Sequence, residues 1–287
     1  MVSNLRVAII THEIDKFKNS KYLLRQLSRS WEQEGIEIAL IRGVNQALPE
    51  ADIAILHTDI TAVGDDYIRI LEHYPRVING AITDISKTAF SDLIVAENDG
   101  YTGKVIVKTN ANFGGMRERQ LKLSEGDLQA DIEIQRPWRR VEWMAEYPIF
   151  DSPSAVPGGV WRNDKLVVEK FLPEKNSQGE YLVKIWVFFG DQGIYYQCVA
   201  DQPVIKGHNL IRREFLDVGD VPEPIREARA KMGFDYGKFD FAIHEGEAVL
   251  YDVNRTPGGP RKEVGSEVVQ QVYRTLNAGF RDFINQL

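Results

Sequence analysis

The sequence predicts an α/β protein with alternating strands and helices, and three observations support this prediction. Residues 5–11 (LRVAIIT) form a continuous aliphatic run, which is typical of a strand buried on both faces. Residues 19–34 place leucines at helical spacing, and Gly35 marks the end of that helix. Strand-like runs follow at 36–42 and 52–57. This order implies a small parallel sheet with right-handed crossovers.

Length and composition limit the class of protein. The 287 residues suffice for about two domains. A helix over 65–74 and a strand over 76–79 continue the parallel pattern. The regular alternation of strand-like and helix-like segments ends near residue 80. We therefore predict an N-terminal, Rossmann-like parallel α/β domain over 1–80. Further strands are expected at 104–108, 165–169 and 181–189, and helices at 222–232 and about 263–284.

Charge and cysteine content argue against several functions and suggest a compartment. The formal net charge of −7 gives no general electrostatic reason to bind nucleic acid or an anionic membrane, which leaves only a local basic patch for such binding. The single cysteine, Cys198, can make neither an internal disulfide nor a thiolate cluster for zinc, which favours the cytoplasm. No apolar run approaches the ~18 residues of a membrane span, and the N-terminus lacks the plan of a signal peptide. A homodimer is one option that the sequence leaves open.

Residues 237–260 carry the most informative pattern, two strands joined by a turn that contains glycine. Asp240 alternates with phenylalanines on the first strand, and Asp252 shares a face with Asn254 on the second. A three-residue loop over 245–247 would place Asp240 opposite Asp252, with the bulky apolar side chains on the other face. A two-residue loop would separate polar and apolar side chains less well, so the sequence favours the three-residue loop.

That register predicts a metal site at Asp240, Asp252 and Asn254. Two carboxylates and an amide oxygen would meet within about 5 Å, and like charges so close repel unless a cation lies between them. Hard oxygen ligands suit Mg²⁺ that is held partly by phosphate. On spacing alone, a solvated polar strand face explains the pattern equally well.

The same residues resemble a known family. The D…DxN pattern followed by a TPG turn is similar to the metal-binding end of the ATP-grasp superfamily, which includes D-alanine–D-alanine ligase, glutathione synthetase and the glutamate-adding ligases of ribosomal proteins. The resemblance covers about residues 75–260, with five segments in the family order. It implies an ATP-grasp fold with one lobe over 81–172, which holds the phosphate loop and adenine hinge, and a second over 173–287, which holds the metal site.

Two segments resemble the parts of that family that contact phosphate. VINGAITDISK and VIVKTNANFGG match in order, which implies that Lys87 and Lys108 contact phosphate oxygens. The resemblance also assigns Gly114 and Gly115 to a loop whose backbone N–H groups approach phosphate. Taken alone, Lys87 fits a solvated helix lysine equally well.

LVVEKFLPE resembles the hinge that holds adenine. The matching residues are Glu169, Lys170, Phe171 and Leu172. The resemblance implies that hinge backbone groups face the adenine edge and that Glu180 binds ribose, with Glu174 as its competitor. The alternative for this stretch is an ordinary strand end followed by a surface turn.

Other candidates concern the reacting groups. Lys184 lies in YLVKIWVFF, where the family carries a cation near the transferred phosphate, and a lysine there lacks the fork geometry of arginine. Arg261 and Arg213 are candidates for binding a substrate carboxylate, with Arg261 also a catalytic candidate; a solvated surface position is the alternative for both. His12 ends the first strand, where open α/β sheets place ligands, and is a substrate candidate; a capping or surface histidine explains it equally well. Asp252 stands where the family more often has Glu.

The resemblance implies an ATP- and Mg²⁺-dependent ligase, with Mn²⁺ as an alternative ion. It would join a carboxylate to an amine, on a small molecule or peptide, through an acyl phosphate. One alternative is a small-molecule kinase on the same fold. Another is an ATP-binding module without chemistry, against which the presence of Lys108, Asp240, Asp252 and Asn254 argues.

Overall fold

The computed structural model describes residues 5–124, 138–142, 144, 146–260 and 265–285. The N-terminal part contains a parallel sheet with the strand order β2-β1-β3-β4. Its elements are β1 (Arg6–Thr11), α1 (Leu23–Gln33), β2 (Glu37–Arg42), β3 (Ile53–Leu56), α2 (Asp65–Leu71) and β4 (Val77–Ile78). The predicted parallel α/β arrangement is confirmed.

A small antiparallel sheet with the order β6-β5-β7 follows. The elements of this part are α3 (Lys87–Phe90), β5 (Val105–Thr109), α4 (Met116–Ser124), α5 (Arg139–Glu142), β6 (Ile149–Phe150), α6 (Gly158–Trp161) and β7 (Leu166–Lys170). Valines of β5 and β7 pack with Val95, Val141 and Val160 into a separate apolar core. This core holds the two strands that precede the predicted phosphate loop and hinge.

The largest sheet is antiparallel, with the order β11-β10-β9-β12-β13 and β8 paired to β9. The elements are β8 (Glu174–Lys175), β9 (Tyr181–Phe189), β10 (Gln192–Ala200), β11 (Leu210–Leu216), α7 (Glu223–Met232), β12 (Tyr236–His244), β13 (Glu247–Asn254) and α8 (Ser266–Ile284). Trp186, Phe239 and Phe241 are buried on one face, in a core shared with α7. Val183 and Ile185 belong to the other face and are only half-buried, so that face remains partly open.

The hairpin of β12 and β13 confirms the predicted pairing but corrects its cause. Asp240 lies opposite Asp252, yet His244 pairs with Glu247, so the turn has two residues rather than three. The register shifts between Asp240 and Phe241, because Tyr251 is an extra residue on β13. This bulge restores the facing carboxylates after a tight turn whose Glu245 and Gly246 both have positive φ.

The end of β13 is anchored to the N-terminal sheet by a fully buried arginine. The Arg255 guanidinium donates hydrogen bonds to four backbone carbonyls, those of Thr58, Ile60, Thr61 and Ile82. Burial lowers the pKa of Arg255 to about 10. Because several donors of one planar group meet carbonyls from two loops, β13 is held at the carboxyl end of β3.

The C-terminal helix also packs on this part of the molecule. Trp31 of α1 stacks on Phe280 with a ring separation of 3.8 Å, and its Nε1 donates to Asn277 at 2.8 Å. Among the described residues, no helix combines the length and hydropathy needed to traverse a bilayer. The division into domains at residues 80 and 172 stays a prediction.

Candidate functional site

Three of the cavities formed by the described residues contain predicted site residues. The hinge cavity, about 250 Å³, lies between the end of β5, the segment 170–173 and the strand pair β12–β13. The sheet cavity, about 450 Å³, lies on the open face of the largest sheet. The strand-end cavity, about 570 Å³, lies beyond β1 and includes His12. The hinge and sheet cavities share Val183, Lys206 and Asp240, and the sheet and strand-end cavities share Gly258.

The hinge cavity brings together residues that are far apart in the sequence. The predicted site residues that line it are Lys87, Lys108, Lys170, Phe171, Leu172, Asp240 and Asp252. They come from the helix α3, the ends of β5 and β7, and both strands of the β12–β13 hairpin. Such convergence of charged groups in one concave site favours a binding or catalytic role.

Backbone hydrogen bonds place the first two lysines side by side. The Lys87 N–H donates to the Asn110 carbonyl at 3.0 Å, and the Thr88 N–H donates to the Asn110 side chain at 3.0 Å. The start of α3 is thereby tied to the residue that follows β5. Lys87 and Lys108 consequently enter the same cavity from neighbouring backbone segments.

Lys108 is held by a carboxylate beneath the cavity. Its Nζ lies 2.7 Å from Glu169 Oε2, and it stands 5.3 Å from the centre of the Tyr251 ring. Glu169 is fully buried and accepts a hydrogen bond from Ser91 at 2.5 Å. Glu169 therefore does not line the cavity with its hinge neighbours; it positions Lys108 from below.

Each aspartate of the facing pair is matched with a lysine. Asp252 contacts Lys87 Nζ, and Asp240 Oδ2 lies 2.8 Å from Lys238 Nζ. Burial opposes ionisation of Asp252, but Lys87 and Lys238 outweigh it and hold the pKa of that carboxyl below its usual range. Burial raises the pKa of Asp240, and the nearby Asp252 charge adds to this effect.

The facing carboxylates fit a divalent cation. Asp240 Oδ1 is buried and has no hydrogen-bond partner among the described residues, so one ligand oxygen is available. The Asn254 oxygen accepts a hydrogen bond from the Thr256 N–H at 2.7 Å, so Asn254 would have to share that oxygen with a metal. Within the described ranges, no group of three His, Cys, Asp or Glu side chains could hold a metal alone. The donor set is therefore suited to an ion that brings further ligands with it.

The predicted glycine loop lies at the mouth of the cavity. Phe113, Gly114 and Gly115 all have positive φ, of 46°, 65° and 67°. A Cβ on Gly114 would come within 2.5 Å of the Glu142 carbonyl, so only glycine fits there. Phe113 lines the cavity, whereas the two glycines support it from the next positions.

Two backbone groups of the hinge segment already form hydrogen bonds within the protein. The Tyr251 hydroxyl donates to the Leu172 carbonyl at 2.5 Å, and the Phe171 N–H donates to the Lys104 carbonyl at 2.8 Å. Tyr251 thus links the hinge directly to the strand that carries Asp252. Opposite it, Lys206 Nζ donates to the Met144 carbonyl at 2.6 Å, and burial lowers its pKa.

Lys184 lies outside the described lining of both the hinge cavity and the sheet cavity. Lys184 pairs with Phe241 in the sheet, so its side chain lies on the face opposite to that of Asp240, and it contacts Glu174. Strand side chains alternate between faces, and this register directs Lys184 away from both the hinge and the sheet cavities. Lys238, two residues before Asp240, is a cation on the same face as Asp240.

Glu180 is also placed elsewhere. Its carboxylate makes a bidentate ion pair with Arg212, at 2.7 and 2.8 Å, and it does not line the hinge cavity. Its competitor Glu174 accepts from the Ile243 N–H at 2.6 Å and contacts Lys184. The short β8–β9 connection turns Glu180 towards β11, so neither glutamate faces the hinge.

The substrate candidates occupy different cavities. Arg213 lines the sheet cavity, and His12 lines the strand-end cavity, where its Nε2 lies 3.4 Å from Asp15. Burial lowers the pKa of His12, which keeps the imidazole neutral at pH 7. Arg261 lies outside the described residues, and its role stays a prediction.

Sequence reasoning missed three residues of the site, Lys206, Lys238 and Tyr251. The signal for Lys238 was present, because residues two apart on a strand share a face and Asp240 was already singled out. Lys206 comes from a loop, and Tyr251 enters through the bulge. Neither placement follows from a regular period in the sequence.

Comparison with known proteins finds similar structures but no similar sequence. No protein-family model matches the chain, and no curated protein matches its sequence. Among solved structures, the ATP-grasp ligase PsnB with minimal precursor, Mg and ADP is 11% identical, covers 97% of this chain and 99% of its own, and has a TM-score of 0.50.

Two further structures have lower TM-scores. D-alanine–D-alanine ligase from Bacillus anthracis is 14% identical over 97% of this chain and 96% of its own, with a TM-score of 0.49. A RimK domain ATP-grasp protein from Sphaerobacter thermophilus is 12% identical over 96% and 98%, with a TM-score of 0.47. At sequence identities this low, the similarity shows a shared fold and nothing about function. The predicted ATP-grasp fold is confirmed, with its N-terminal parallel α/β sheet.

Proposed function

We propose that this protein is a cytoplasmic ATP- and Mg²⁺-dependent ligase that joins a carboxylate to an amine on a small molecule or peptide. The ATP-grasp fold supports the general kind of reaction. The observation that carries the proposal is the convergence of the hinge, Lys87, Lys108 and the facing Asp240 and Asp252 around one cavity.

The lining of the hinge cavity suits a nucleoside triphosphate. Its apolar walls include Ile106, Met144 and Tyr251, which can enclose a purine ring. Its cations among the described residues are Lys87, Lys108, Lys170 and Lys206. Ammonium groups on several sides of a cleft neutralise the charge of a polyphosphate and of the phosphoryl group in transfer.

Asp240 and Asp252 are the residues proposed to hold Mg²⁺, with Asn254 as a third ligand. When bound, Mg²⁺ or Mn²⁺ would neutralise phosphate charge and orient the phosphoryl group for attack. Lys87 and Lys238 already contact these carboxylates, so they lie within reach of a phosphate that the cation carries.

The proposed reaction has two steps. First, a substrate carboxylate oxygen bonds to the γ-phosphorus of ATP, the bond to the β–γ bridging oxygen breaks, and ADP leaves. Second, an amine nitrogen attacks the acyl carbon, phosphate departs, and the amine loses a proton. Lys238, beside Asp240, is placed to hold the carboxylate oxygen during the first step.

The strand-end cavity is the proposed site for the amine, because it adjoins the sheet cavity at Gly258. Its described lining has one carboxylate, that of Asp15, against the cations Lys16, Lys21 and Arg117, so it suits an uncharged amine better than an ammonium group. His12 is neutral there and can accept the proton that the amine gives up.

Product analysis of the purified chain tests this function. Incubation with ATP, Mg²⁺, hydroxylamine and a panel of carboxylic acids should give ADP and phosphate in equal amounts, together with a hydroxamate from the trapped acyl phosphate. A kinase would give ADP while phosphate stays on the product. Tight ATP binding without turnover on any acid would indicate a binding module.

Variants control for contaminating activity. Asp252→Asn should reduce hydroxamate formation at least about 100-fold, because it removes a proposed metal ligand. Asp201→Asn, the same change at an exposed site, should retain full activity. Equal activity of the wild type and Asp252→Asn would contradict the metal assignment.

A further inference from the structure

The sheet cavity is large enough for a second small molecule beside the hinge cavity. Its floor is formed by the open face of β9 and β10, where Val183, Ile185 and Ile194 are only half-buried. Side chains from α1 and α8, Leu23 and Val272, also line it. A concave site of about 450 Å³ is typical of small-molecule binding.

The floor of this cavity is apolar over adjacent strands. Ile185 pairs with Tyr196, and Tyr196 pairs with Phe215, so these three side chains form one continuous row. The rings of Tyr196 and Phe215 are 5.7 Å apart, and Phe215 is 51% exposed. Apolar surface that stays open to a cavity favours a ligand that covers it.

Charged groups lie at the borders of this floor. Asp240 and Lys238 lie on the β12 side, where the sheet cavity meets the hinge cavity. Arg213 lies on the β11 side and has no carboxylate partner among the described residues. Both borders carry cations, and the described lining contains a single carboxylate, that of Asp240.

We propose that the acid activated by this protein has an uncharged, apolar body, aliphatic or aromatic, that lies on this floor with its carboxylate at Lys238 and Asp240. This inference rests on the proposed ligase function. The shared wall at Val183 and Asp240 directs the carboxylate of such an acid towards the hinge cavity. The only polar group of the row formed by Ile185, Tyr196 and Phe215 is the Tyr196 hydroxyl, and one hydroxyl does not repay the desolvation of a second carboxylate at the centre of the floor.

Direct binding to the intact chain, without nucleotide, tests the proposal. Saturation-transfer NMR should be recorded with 3-phenylpropanoate and 4-methylpentanoate, and with the dicarboxylates glutarate and glutamate for comparison. We expect saturable binding of the apolar acids, at least about tenfold tighter than that of the dicarboxylates. Equal affinities, tighter binding of the dicarboxylates, or no binding of the apolar acids would overturn the proposal.

A matched pair of variants locates the site. Phe215→Ser removes a ring that lines the cavity, and Ile211→Ser removes a side chain of similar exposure, 53%, on the same strand outside the lining. Phe215→Ser should weaken binding of 3-phenylpropanoate about fivefold or more, while Ile211→Ser leaves it unchanged. Equal effects of both substitutions would contradict the placement.

The hydroxamate assay separates this proposal from the ligase function. Apolar acids that bind but give no hydroxamate with ATP and Mg²⁺ would contradict the ligase function while leaving the cavity assignment intact. Hydroxamate formed from glutamate or glutarate in preference to apolar acids would keep the ligase and overturn the assignment of substrate class.

Discussion

Lys184 and Lys238 lie on neighbouring strands of one sheet but point to opposite faces. Lys184 contacts Glu174 on the covered face, whereas Lys238 lies 2.8 Å from Asp240 on the open face. The family resemblance singles out the first lysine, and the register of β9 and β12 singles out the second. This difference can be measured directly.

Replacement of each lysine by methionine should separate the two roles. Lys238→Met should lower kcat at least about 100-fold, because a cation aimed at the reacting carboxylate is lost. Lys184→Met should lower stability by about 1–3 kcal/mol, because Glu174 loses its partner, while kcat stays within about threefold. Steady-state rates and urea unfolding provide the two readouts. A larger loss of kcat in Lys184→Met than in Lys238→Met would contradict the assignment of the reacting carboxylate to Lys238.

Lys108 and Glu169 form a pair whose two functions can be separated. Lys108→Met should weaken ATP binding about 10- to 100-fold and lower the free energy of unfolding by about 3 kcal/mol, because the fully buried Glu169 is left without its cation. Adding Glu169→Gln should restore most of the stability but not the affinity. Calorimetric ATP titration and urea unfolding of both variants test this. Recovery of ATP affinity in the double variant would show that Lys108 has only a structural role.

Arg255 should be among the most sensitive positions of the fold. Arg255→Met leaves four backbone carbonyls without their donor in a buried site and should cost at least about 3 kcal/mol of unfolding free energy. Arg226, which donates to the carbonyls of Val218 and Val221 near its own helix, provides the control. Arg226→Met should cost about 1 kcal/mol. Similar losses in both variants would argue against the special role of Arg255.

Stability should fall in mild acid because of His57. This residue is fully buried, neither ring nitrogen has a partner among the described residues, and burial lowers its pKa to about 3. Between pH 6.5 and 3 the unfolded chain binds a proton at His57 that the folded chain does not, so the free energy of unfolding decreases as the pH falls. From pH 7 to pH 5 this contribution amounts to about 2 kcal/mol.

His57→Leu provides the comparison for that pH effect. Leucine has a similar size and does not titrate, so the decrease between pH 7 and pH 5 should be about 2 kcal/mol smaller in the variant. Urea unfolding at both pH values gives the two differences. Identical decreases in the wild type and the variant would show that His57 does not contribute.

Local patterns sufficed for the elements and for part of the site. The aliphatic runs predicted β1, β5 and β9, since buried strands need such side chains in any tertiary setting. Asp240 and Asp252 were predicted to face each other, and they do. The three-residue loop was wrong, because the bulge at Tyr251 compensates for a shorter turn, and alternation along the chain does not reveal where an extra residue is inserted.

The amino-acid sequence by itself determined where most strands and helices form. It also sets the order of the lysines, glycines and aspartates on which the resemblance to the ATP-grasp superfamily rests. Only the tertiary structure decided which of these side chains meet: it placed Lys238 rather than Lys184 beside Asp240, turned Glu180 towards Arg212, and joined the hinge cavity to an apolar floor. The reason is that strand geometry is encoded within a few neighbouring residues. The face on which a charge finally lies depends instead on pairing between strands far apart in the chain.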